Sequence, residues 1–293
     1  MKIDYVVPMV FTDDPEWQSA YSRSGLPSLW NDIYAVRYRS WGTEELLIRC
    51  IMKFMPWIDK IHVLLSGRGQ YRGWMTKYEK VYPVYHEDFI PKKHLPVFNS
   101  CTIEMFLPFI PNLSEHFIYA NDDMYPMSPL EPTDFFDGGL PCQVLNEKPF
   151  PIVPNIFQTK CMNQQNMVGS VFGRSFTNTW LRNGHSLAPM LLSEGRKVRE
   201  RFWNEIERGI SNYRSEYSYN QYIYVLWQQF SGKYHPSAPK RTYLSVRKSV
   251  EFVERALGEK NLGIVCMNDH ECCSDITPYA DVLRKALKKI LKQ

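Results

Sequence analysis

Several features that assign a chain to a special class are absent from this sequence. No apolar run approaches the roughly 20 residues that a membrane-spanning helix needs, so any membrane contact is expected to be peripheral. The seven cysteines show no paired spacing, which indicates reduced thiols rather than a disulfide framework. Lysine and arginine (35) exceed aspartate and glutamate (31) only slightly, which argues against nucleic acid as the main partner.

The start of the chain also lacks the segments of a secretory signal. Met1-Lys2-Ile3-Asp4 runs directly into a strand-like stretch, without a basic region, an apolar region and a cleavage site in order. We therefore expect a cytoplasmic protein. The residues that are present, 44% hydrophobic and 14% aromatic, are typical of a globular chain with a large core. For 293 residues we expect a single domain over 1–293.

Short β-prone runs recur along the chain, each followed by a polar cluster and then by a helical pattern. This alternation predicts an α/β fold around a central sheet. Residues 160–235 have a mostly helical pattern and predict a helical insert or subdomain. The predicted strands are Tyr5–Phe11, Ile61–Leu65, Val81–Tyr85, Phe117–Ala120 and Leu262–Met267.

The most informative polar cluster is Asn121-Asp122-Asp123, which directly follows a predicted strand. In open α/β sheets, ligands bind beyond the carboxyl ends of the strands. Two adjacent carboxylates repel each other unless a cation or a base relieves the repulsion. A divalent cation that also bridges substrate phosphates would do so. The alternative is an Asx turn with solvated carboxylates, and the motif alone does not decide between the two.

Other polar segments each have a functional and a structural interpretation. Ser66–Gln70 is either a glycine- and arginine-bearing phosphate loop or an ordinary loop. Ser100 and Glu104 begin a predicted helix and share one face, as in an ordinary cap. His185 lies in a polar break where an imidazole suits a general base, although most loop histidines have no such role. Arg214 alone indicates a surface salt bridge.

Two features near the C-terminus have alternatives of their own. Cys266, His270, Cys272 and Cys273 suggest a zinc site, but they contain no CxxC pair, and we do not expect a structural zinc. Asp281–Gln293 predicts a helix with one apolar face and a remainder rich in lysine and arginine. Such a helix either packs on its own domain, which we favour, or lies on an anionic membrane surface.

The order of these motifs along the chain is more specific than any one of them. The strongest stretch runs from about Arg37 to Pro129 and consists of Arg37-Tyr38-Arg39, Glu44-Glu45-Leu46, Arg49, Pro56-Trp57-Ile58-Asp59-Lys60-Ile61, Leu95-Pro96-Val97-Phe98-Asn99-Ser100, Ile103-Glu104, Leu113-Ser114-Glu115-His116-Phe117 and Asn121-Asp122-Asp123. Looser matches are Ile3-Asp4-Tyr5-Val6-Val7 with Asp14-Pro15, Gly184-His185, Tyr213-Arg214 and Cys266-Met267-Asn268-Asp269. In this order they resemble the shared regions of the Stealth family of sugar-phosphate transferases.

The resemblance implies a Rossmann-like sheet of the nucleotide-sugar transferase type. It also implies transfer of a hexose-1-phosphate, such as N-acetylhexosamine-1-phosphate, from a UDP-sugar to a glycan hydroxyl, with release of UMP, in capsular or cell-surface polysaccharide synthesis. Such a reaction needs stabilisation of phosphoryl charge and a proton acceptor. The catalytic residues implied are His185, Arg214 and Asp123, with His185 as a base or as a transient nucleophile.

The resemblance further implies a metal and a set of substrate contacts. Asp122 and Asp123 are expected to bind Mg²⁺ or Mn²⁺. The residues expected to contact the donor or acceptor, or to border the cleft, are Asp14, Arg39, Arg49, Asn99, Ser100, Glu104, Asn268 and Asp269. The expected partners are a UDP-sugar and a glycan, without nucleic acid. If the basic C-terminal helix lies on an anionic membrane surface, the protein would contact the inner face of the membrane peripherally. The sequence does not indicate an oligomeric state.

Two other functions remain open at this point. A metal-dependent glycosyltransferase would use the same carboxylates but transfer the sugar alone and release UDP. A non-catalytic glycan-binding subunit would keep the fold without turnover. The nucleotide product distinguishes the first alternative, which releases UDP, from hexose-1-phosphate transfer, which releases UMP. The second alternative is disfavoured by the joint presence of Asp122, Asp123, His185 and Arg214.

Overall fold

A computed structural model describes residues 1–29 and 36–292 of the chain. Short 3₁₀ turns connect several of its strands and helices. In chain order the strands and helices are β1 (Ile3–Pro8), α1 (Pro15–Arg23), α2 (Glu44–Phe54), β2 (Ile61–Leu65), β3 (Val81–Tyr85), α3 (His86–Phe89), α4 (Ser100–Glu104), β4 (His116–Tyr119), β5 (Met124–Pro126), β6 (Phe136–Asp137), β7 (Leu140–Pro141), β8 (Leu145–Pro149), α5 (Ile156–Val171), β9 (Thr179–Asn183), β10 (Ala188–Leu191), α6 (Leu192–Gly209), α7 (Tyr222–Phe230), β11 (Arg241–Ser245), α8 (Val250–Leu257), β12 (Ile264–Asn268) and α9 (Thr277–Lys292).

The central sheet has five strands in the order β10-β4-β1-β2-β3. β3, β2, β1 and β4 are parallel, whereas β10 runs antiparallel to β4. The parallel order 3-2-1-4 is the arrangement of a Rossmann-like sheet, which confirms the predicted α/β class. β2 is buried at every position, as expected for a parallel strand covered on both faces.

Apolar cores lie on both faces of this sheet, because successive side chains of a strand point to opposite sides. Tyr5 and Val7 of β1 pack in a core with residues of α2, α8 and α9. Val6, between them, packs in the other core with residues of α6 and α7. The sheet is therefore enclosed by helices, and its edge at the carboxyl ends of the strands remains available for a site.

A second sheet, β11-β12-β5, begins where the central sheet ends. β5 follows β4 after a short turn and pairs antiparallel with β12, while β11 pairs parallel with β12. The backbone N–H of Met267 also donates to the carbonyl oxygen of Asp123 at 2.9 Å. Asn121-Asp122-Asp123 therefore lies at the junction of the two sheets, next to the carboxyl end of β12.

The segment 160–235 contains most of α5 together with α6 and α7, and it also contains β9 and β10. β9 pairs with β8, and β10 completes the central sheet. The structure thus joins this segment directly to the central sheet. Its description as a helical insert within a single domain over 1–293 stays a prediction.

The C-terminal helix α9 packs on the body of the protein. Its apolar residues Ala280, Leu283 and Leu287 are buried, and the helix contacts α2 and α8. This is the packing that we favoured for the basic helix. Among the helices of the described residues, none is both long and apolar enough to cross a membrane.

Candidate active site

A cavity of about 480 Å³ opens at the junction of the two sheets. The residues that follow β1, β4 and β12 all contribute to its wall. This is the position at which open α/β sheets bind ligands. The predicted site residues that line it are Arg39, Ser100, Asp122, Asp123, His185, Arg214, Asn268 and Asp269.

Asp123 is in contact with two side chains from distant parts of the chain. Its Oδ2 lies 3.3 Å from Nε2 of His185 and 3.5 Å from Sγ of Cys266. Its Oδ1 is buried and has no hydrogen-bond partner among the described residues. Burial lowers the pKa of His185, but the charge of Asp123 and its hydrogen bond raise that pKa more, so the net shift is upward.

Asp122 is accessible through the cavity but lies close to other acidic groups. Desolvation by the surrounding protein, followed by the negative charges of Asp123 and Glu44, raises its pKa to about 7. The negative charge of each of these carboxylates makes ionisation of its neighbour less favourable. A bound cation would relieve that repulsion, which favours the metal interpretation of the motif over a solvated turn.

The donor atoms present fit a hard divalent cation. Carboxylate oxygens are the ligands that Mg²⁺ and Mn²⁺ prefer, and the unpartnered Oδ1 of Asp123 is a free acceptor. The ligand atoms of Asp123, His185 and Cys266 lie within 4.8 Å of one another. Burial raises the pKa of Cys266 well above its ordinary value, so its thiol is protonated and is a poor ligand for a hard cation.

Arg214 contributes positive charge to the cavity. Its Nη2 donates to Oγ of Ser100 at 2.9 Å rather than to a carboxylate. The loop that carries Arg214 is fixed to α4, because Nδ2 of Asn99 donates to the carbonyl oxygen of Ser211 at 2.8 Å. Thr102 Oγ1 donates to the same carbonyl at 2.9 Å. The guanidinium is therefore held by a hydrogen-bonded support rather than by an ion pair.

Arg39 and Asp269 form part of the cavity wall by pairing with each other. Nε of Arg39 donates to Oδ2 of Asp269 at 2.6 Å, and Nη2 of Arg39 donates to Oδ1. Nη2 also donates to the carbonyl oxygen of Cys273 at 2.8 Å. This bidentate pair connects the segment before α2 to the end of β12, and substrate contact by either residue stays a prediction.

Four predicted site residues do not line the cavity. Asn99 caps α4 and supports the Arg214 loop, as described above. Asp14 caps α1 and accepts a hydrogen bond from Nε2 of Gln70 at 2.8 Å. Glu104 is buried and accepts from the backbone N–H of Gln221 at 2.7 Å and from the Tyr119 hydroxyl at 3.1 Å. Arg49 is exposed on α2.

The structure therefore does not bring these four residues to the cavity wall, and substrate contact by them stays a prediction. Asn99, Asp14 and Glu104 hold the segments around the cavity, because polar groups from distant segments occupy their side chains. Within Ser66–Gln70, Arg68–Gln70 forms a short 3₁₀ turn and Ser66 lines the cavity, so both the phosphate-loop and the ordinary-loop interpretation stay predictions. Arg68 pairs with Glu87 at 3.3 Å, and a Cβ at Gly69 would lie 2.5 Å from Oδ1 of Asp14.

Sequence reasoning missed several residues of this site. Glu44 adds a third carboxylate near Asp122 and Asp123, and Tyr243 lies with its ring centroid 6.4 Å from that of His185. Cys266 belonged to a recognised motif, but the motif did not indicate contact with Asp123. The pairing of β5, β11 and β12 places Cys266 and Tyr243 next to this site, and no local sequence signal encodes that pairing.

Comparison with known proteins places these observations in a family. Residues 37–142 match a family model described as Stealth protein CR2, conserved region 2. A receptor polysaccharide phosphotransferase, WefC of Streptococcus oralis, is 32% identical over 99% of this chain and 97% of its own length. The capsular polysaccharide phosphotransferase WcwK of Streptococcus pneumoniae is 30% identical over 99% and 97% respectively.

Among solved structures, the galactosyltransferase LgtC in complex with donor and acceptor sugar analogues has a TM-score of 0.45 at 12% identity, covering 99% of this chain and 96% of that one. The relatives identified by sequence extend over nearly the whole chain. Their identity and coverage confirm the resemblance seen in the sequence. The chain therefore belongs to the Stealth family, together with these bacterial polysaccharide phosphotransferases.

Proposed function

We propose that this protein transfers a hexose-1-phosphate, such as N-acetylhexosamine-1-phosphate, from a UDP-sugar to a hydroxyl group of a glycan. The observation that carries the proposal is that Asp122, Asp123, His185 and Arg214 meet in one cavity. Acids, a guanidinium and an imidazole are the groups that attack at phosphorus requires. The relatives are receptor and capsular polysaccharide phosphotransferases, which supports the same class of reaction.

The proposed reaction exchanges one phosphorus–oxygen bond for another. The acceptor hydroxyl oxygen attacks the phosphorus next to the sugar, and the bond from that phosphorus to the oxygen shared with the second phosphate breaks. UMP leaves with the bonding electron pair, and the acceptor loses its proton to a base. The bond from the sugar C1 to oxygen is not broken, so the donor's anomeric configuration is preserved in the phosphodiester.

His185 is the proposed proton acceptor. His185 lines the cavity. Its Nε2 lies 3.3 Å from Oδ2 of Asp123, and this contact fixes the orientation of the ring. General-base catalysis of this kind contributes about 10²- to 10⁴-fold. A phosphorylated His185 is the alternative role for the same side chain, and a mass increase on the protein incubated with donor alone would identify it.

Charge that develops on the phosphoryl oxygens needs positive partners. Arg214 is one, because it lines the cavity and its guanidinium donates to the neutral hydroxyl of Ser100, with no ion pair to a carboxylate among the described residues. Asp122 and Asp123 would hold Mg²⁺ or Mn²⁺, which when bound supplies further positive charge to the phosphates. Asn268 and the Arg39–Asp269 pair border the space that the donor would occupy.

The proposal is tested by identifying the nucleotide product. Purified protein is incubated with Mg²⁺ or Mn²⁺, a panel of UDP-sugars and short oligosaccharide acceptors, and the released nucleotide is identified by mass spectrometry. UMP with a phosphodiester product supports the proposal. UDP with a glycosidic product contradicts it and indicates a glycosyltransferase. Absence of both turnover and donor binding by calorimetry contradicts it in favour of a glycan-binding subunit.

The proposal includes a cellular setting, namely synthesis of a capsular or cell-surface polysaccharide in the cytoplasm at the inner face of the membrane. Any membrane contact would use the lysines and arginines of α9, because the apolar face of that helix is buried. Sedimentation with anionic liposomes at low salt tests this contact. Failure of the liposomes to retain the protein would contradict it.

A further inference from the structure

Two side chains of β11, Tyr243 and Arg241, lie outside the cavity, next to the loop that carries Gly184 and His185. The ring of Tyr243 lies against His185 with a centroid distance of 6.4 Å and an interplanar angle of 73°, and Tyr243 is 57% exposed. Arg241, two residues earlier, lies against Gly184. Neither Tyr243 nor Arg241 lines the cavity, whereas His185 does. His185 therefore stands between the cavity and an outer surface formed by β11.

The close approach of Arg241 depends on the glycine before His185. A Cβ at Gly184 would lie 1.8 Å from Nη1 of Arg241 and 1.9 Å from its Cζ. The guanidinium thus occupies the space that any larger residue at position 184 would fill. Because Gly184 has no side chain, the guanidinium of Arg241 can lie beside the backbone of the loop that carries His185.

The outer surface carries positive charge that the protein does not neutralise by ion pairing. Within the described residues, the ion pairs of lysine and arginine with carboxylates involve neither Arg241 nor Arg182. Arg182 lies on β9, and its charge acts on both His185 and Tyr243. An exposed aromatic ring that has Arg241 two residues away on the same strand, and that Arg182 is close enough to affect through its charge, is suited to a sugar that carries negative charge.

An acceptor on this surface would be consistent with the direction of attack. In an in-line displacement, the attacking hydroxyl and the leaving UMP lie on opposite sides of the phosphorus. The cavity, with the acids and Arg214, is the space available for the donor. An acceptor hydroxyl that reaches His185 from the other side passes over Tyr243.

We propose that Tyr243, Arg241 and Arg182 form the acceptor subsite, in which a sugar ring packs on Tyr243 and a phosphate group of the acceptor pairs with Arg241. This inference rests on the proposed function, because it assigns the side from which the hydroxyl arrives. The planar guanidinium fork matches phosphate oxygens. The phosphate is either a diester inside the glycan chain or a phosphate ester at its reducing end.

The test compares three matched oligosaccharide acceptors: one uncharged, one with an internal phosphodiester and one with a reducing-end phosphate. Tyr243→Ala is expected to raise the KM for all three acceptors, whereas Arg241→Gln raises it about tenfold only for the acceptor whose phosphate it contacts. Donor affinity measured by calorimetry stays unchanged. Arg255→Gln, an exposed arginine on α8, is the control. Unchanged acceptor KM in both test variants would overturn the inference.

A second variant, at Gly184, displaces the guanidinium of Arg241 but keeps the arginine side chain. Gly184→Ala is expected to displace Arg241 and to reproduce the loss seen in Arg241→Gln. The double variant should then lose no more affinity for the phosphorylated acceptor than either single variant, because both changes remove the same contact. Fully additive losses would contradict the assigned contact. Thermal unfolding of each variant checks that the fold is retained.

Glycan binding without turnover separates this inference from the proposed reaction. Saturation-transfer NMR detects the acceptor on the wild-type protein and on both test variants in the absence of donor. Binding that depends on Tyr243 and Arg241, in a protein that releases no UMP, would overturn the proposed function and leave the glycan subsite standing. UMP release with glycan binding that is insensitive to both variants would overturn the subsite alone.

Discussion

At the scale of single residues, the carboxylate of Asp123 has two different environments. Its Oδ2 is next to His185 and Cys266, whereas its Oδ1 is buried without a partner among the described residues. One oxygen thus orients the imidazole while the other remains an acceptor for a cation. This division of roles makes the Asp123–His185 pair the central feature of the proposed reaction.

Replacement of His185 by alanine tests that pair. We expect UMP release to fall by about 10²- to 10⁴-fold, because the variant lacks the proton acceptor. The fold and donor binding should persist, since the side chain is 31% exposed and packs little apolar surface. His235→Ala is the control, because His235 is 42% exposed and pairs with Asp137 in the same way. Wild-type turnover in His185→Ala would remove His185 from the mechanism.

The order of the motifs predicted which residues lie near the site, but it did not predict which of their side chains line the cavity. Asp122, Asp123, His185 and Arg214 line the cavity, and their catalytic and metal-binding roles stay predictions. Glu104 does not line the cavity, although it follows Ser100 by one helical turn. The reason is that Tyr119 and Gln221 supply buried donors to its carboxylate, and a sequence does not show where these distant partners lie.

At the scale of secondary-structure elements, the loop that follows α6 holds Arg214 beside the cavity. α6 ends at Gly209, where a Cβ would lie 2.0 Å from the carbonyl oxygen of Tyr217. The backbone of residues 217–218 therefore packs directly on the end of the helix. This contact sets the path of the loop between α6 and α7.

Gly209→Ala is expected to destabilise the protein by about 1–3 kcal/mol, because a backbone carbonyl has to move to make room for the methyl group. UMP release should also fall as the Arg214 loop shifts. Urea unfolding gives the stability, and Gly73→Ala is the control, since no atom lies within 4 Å of a Cβ built there. Equal unfolding midpoints for the two variants would show that the loop adapts without cost.

The strands that could be predicted are those with continuous apolar runs. β1, β2, β3, β4 and β12 all lie within or near the predicted runs, and the central strands β1 and β2 are parallel strands buried almost throughout, which require such residues. β10 was not predicted, since its four residues lie in a region of helical pattern. The sequence also does not reveal that β12 belongs to a second sheet, because its partners β5 and β11 are defined only by tertiary pairing.

At the scale of the whole molecule, buried titratable groups make stability depend on pH. His86 is buried at the start of α3, and desolvation lowers its pKa from 6.5 to about 4. Between these values the unfolded chain binds a proton that the folded protein does not. Stability contributed by the neutral ring is therefore present above pH 6.5 and is lost as the pH falls toward 4.

His86→Phe is expected to reduce this dependence. For wild type, the titration of His86 should lower the free energy of unfolding by about 2 kcal/mol between pH 7 and pH 5. The variant lacks the titrating ring, so its decrease over the same interval should be smaller by that amount. Urea unfolding at both pH values measures the difference, and His235→Ala serves as an exposed control. Identical decreases in wild type and His86→Phe would refute the assignment.

The account as a whole depends on attack at phosphorus rather than at the sugar carbon. The most direct measurement uses a UDP-sugar labelled at the phosphate next to the sugar and follows the label into the products. We predict that the label appears in the glycan as a phosphodiester and that the released nucleotide is unlabelled UMP. Label that remains in released UDP, with an unlabelled glycan, would contradict the account.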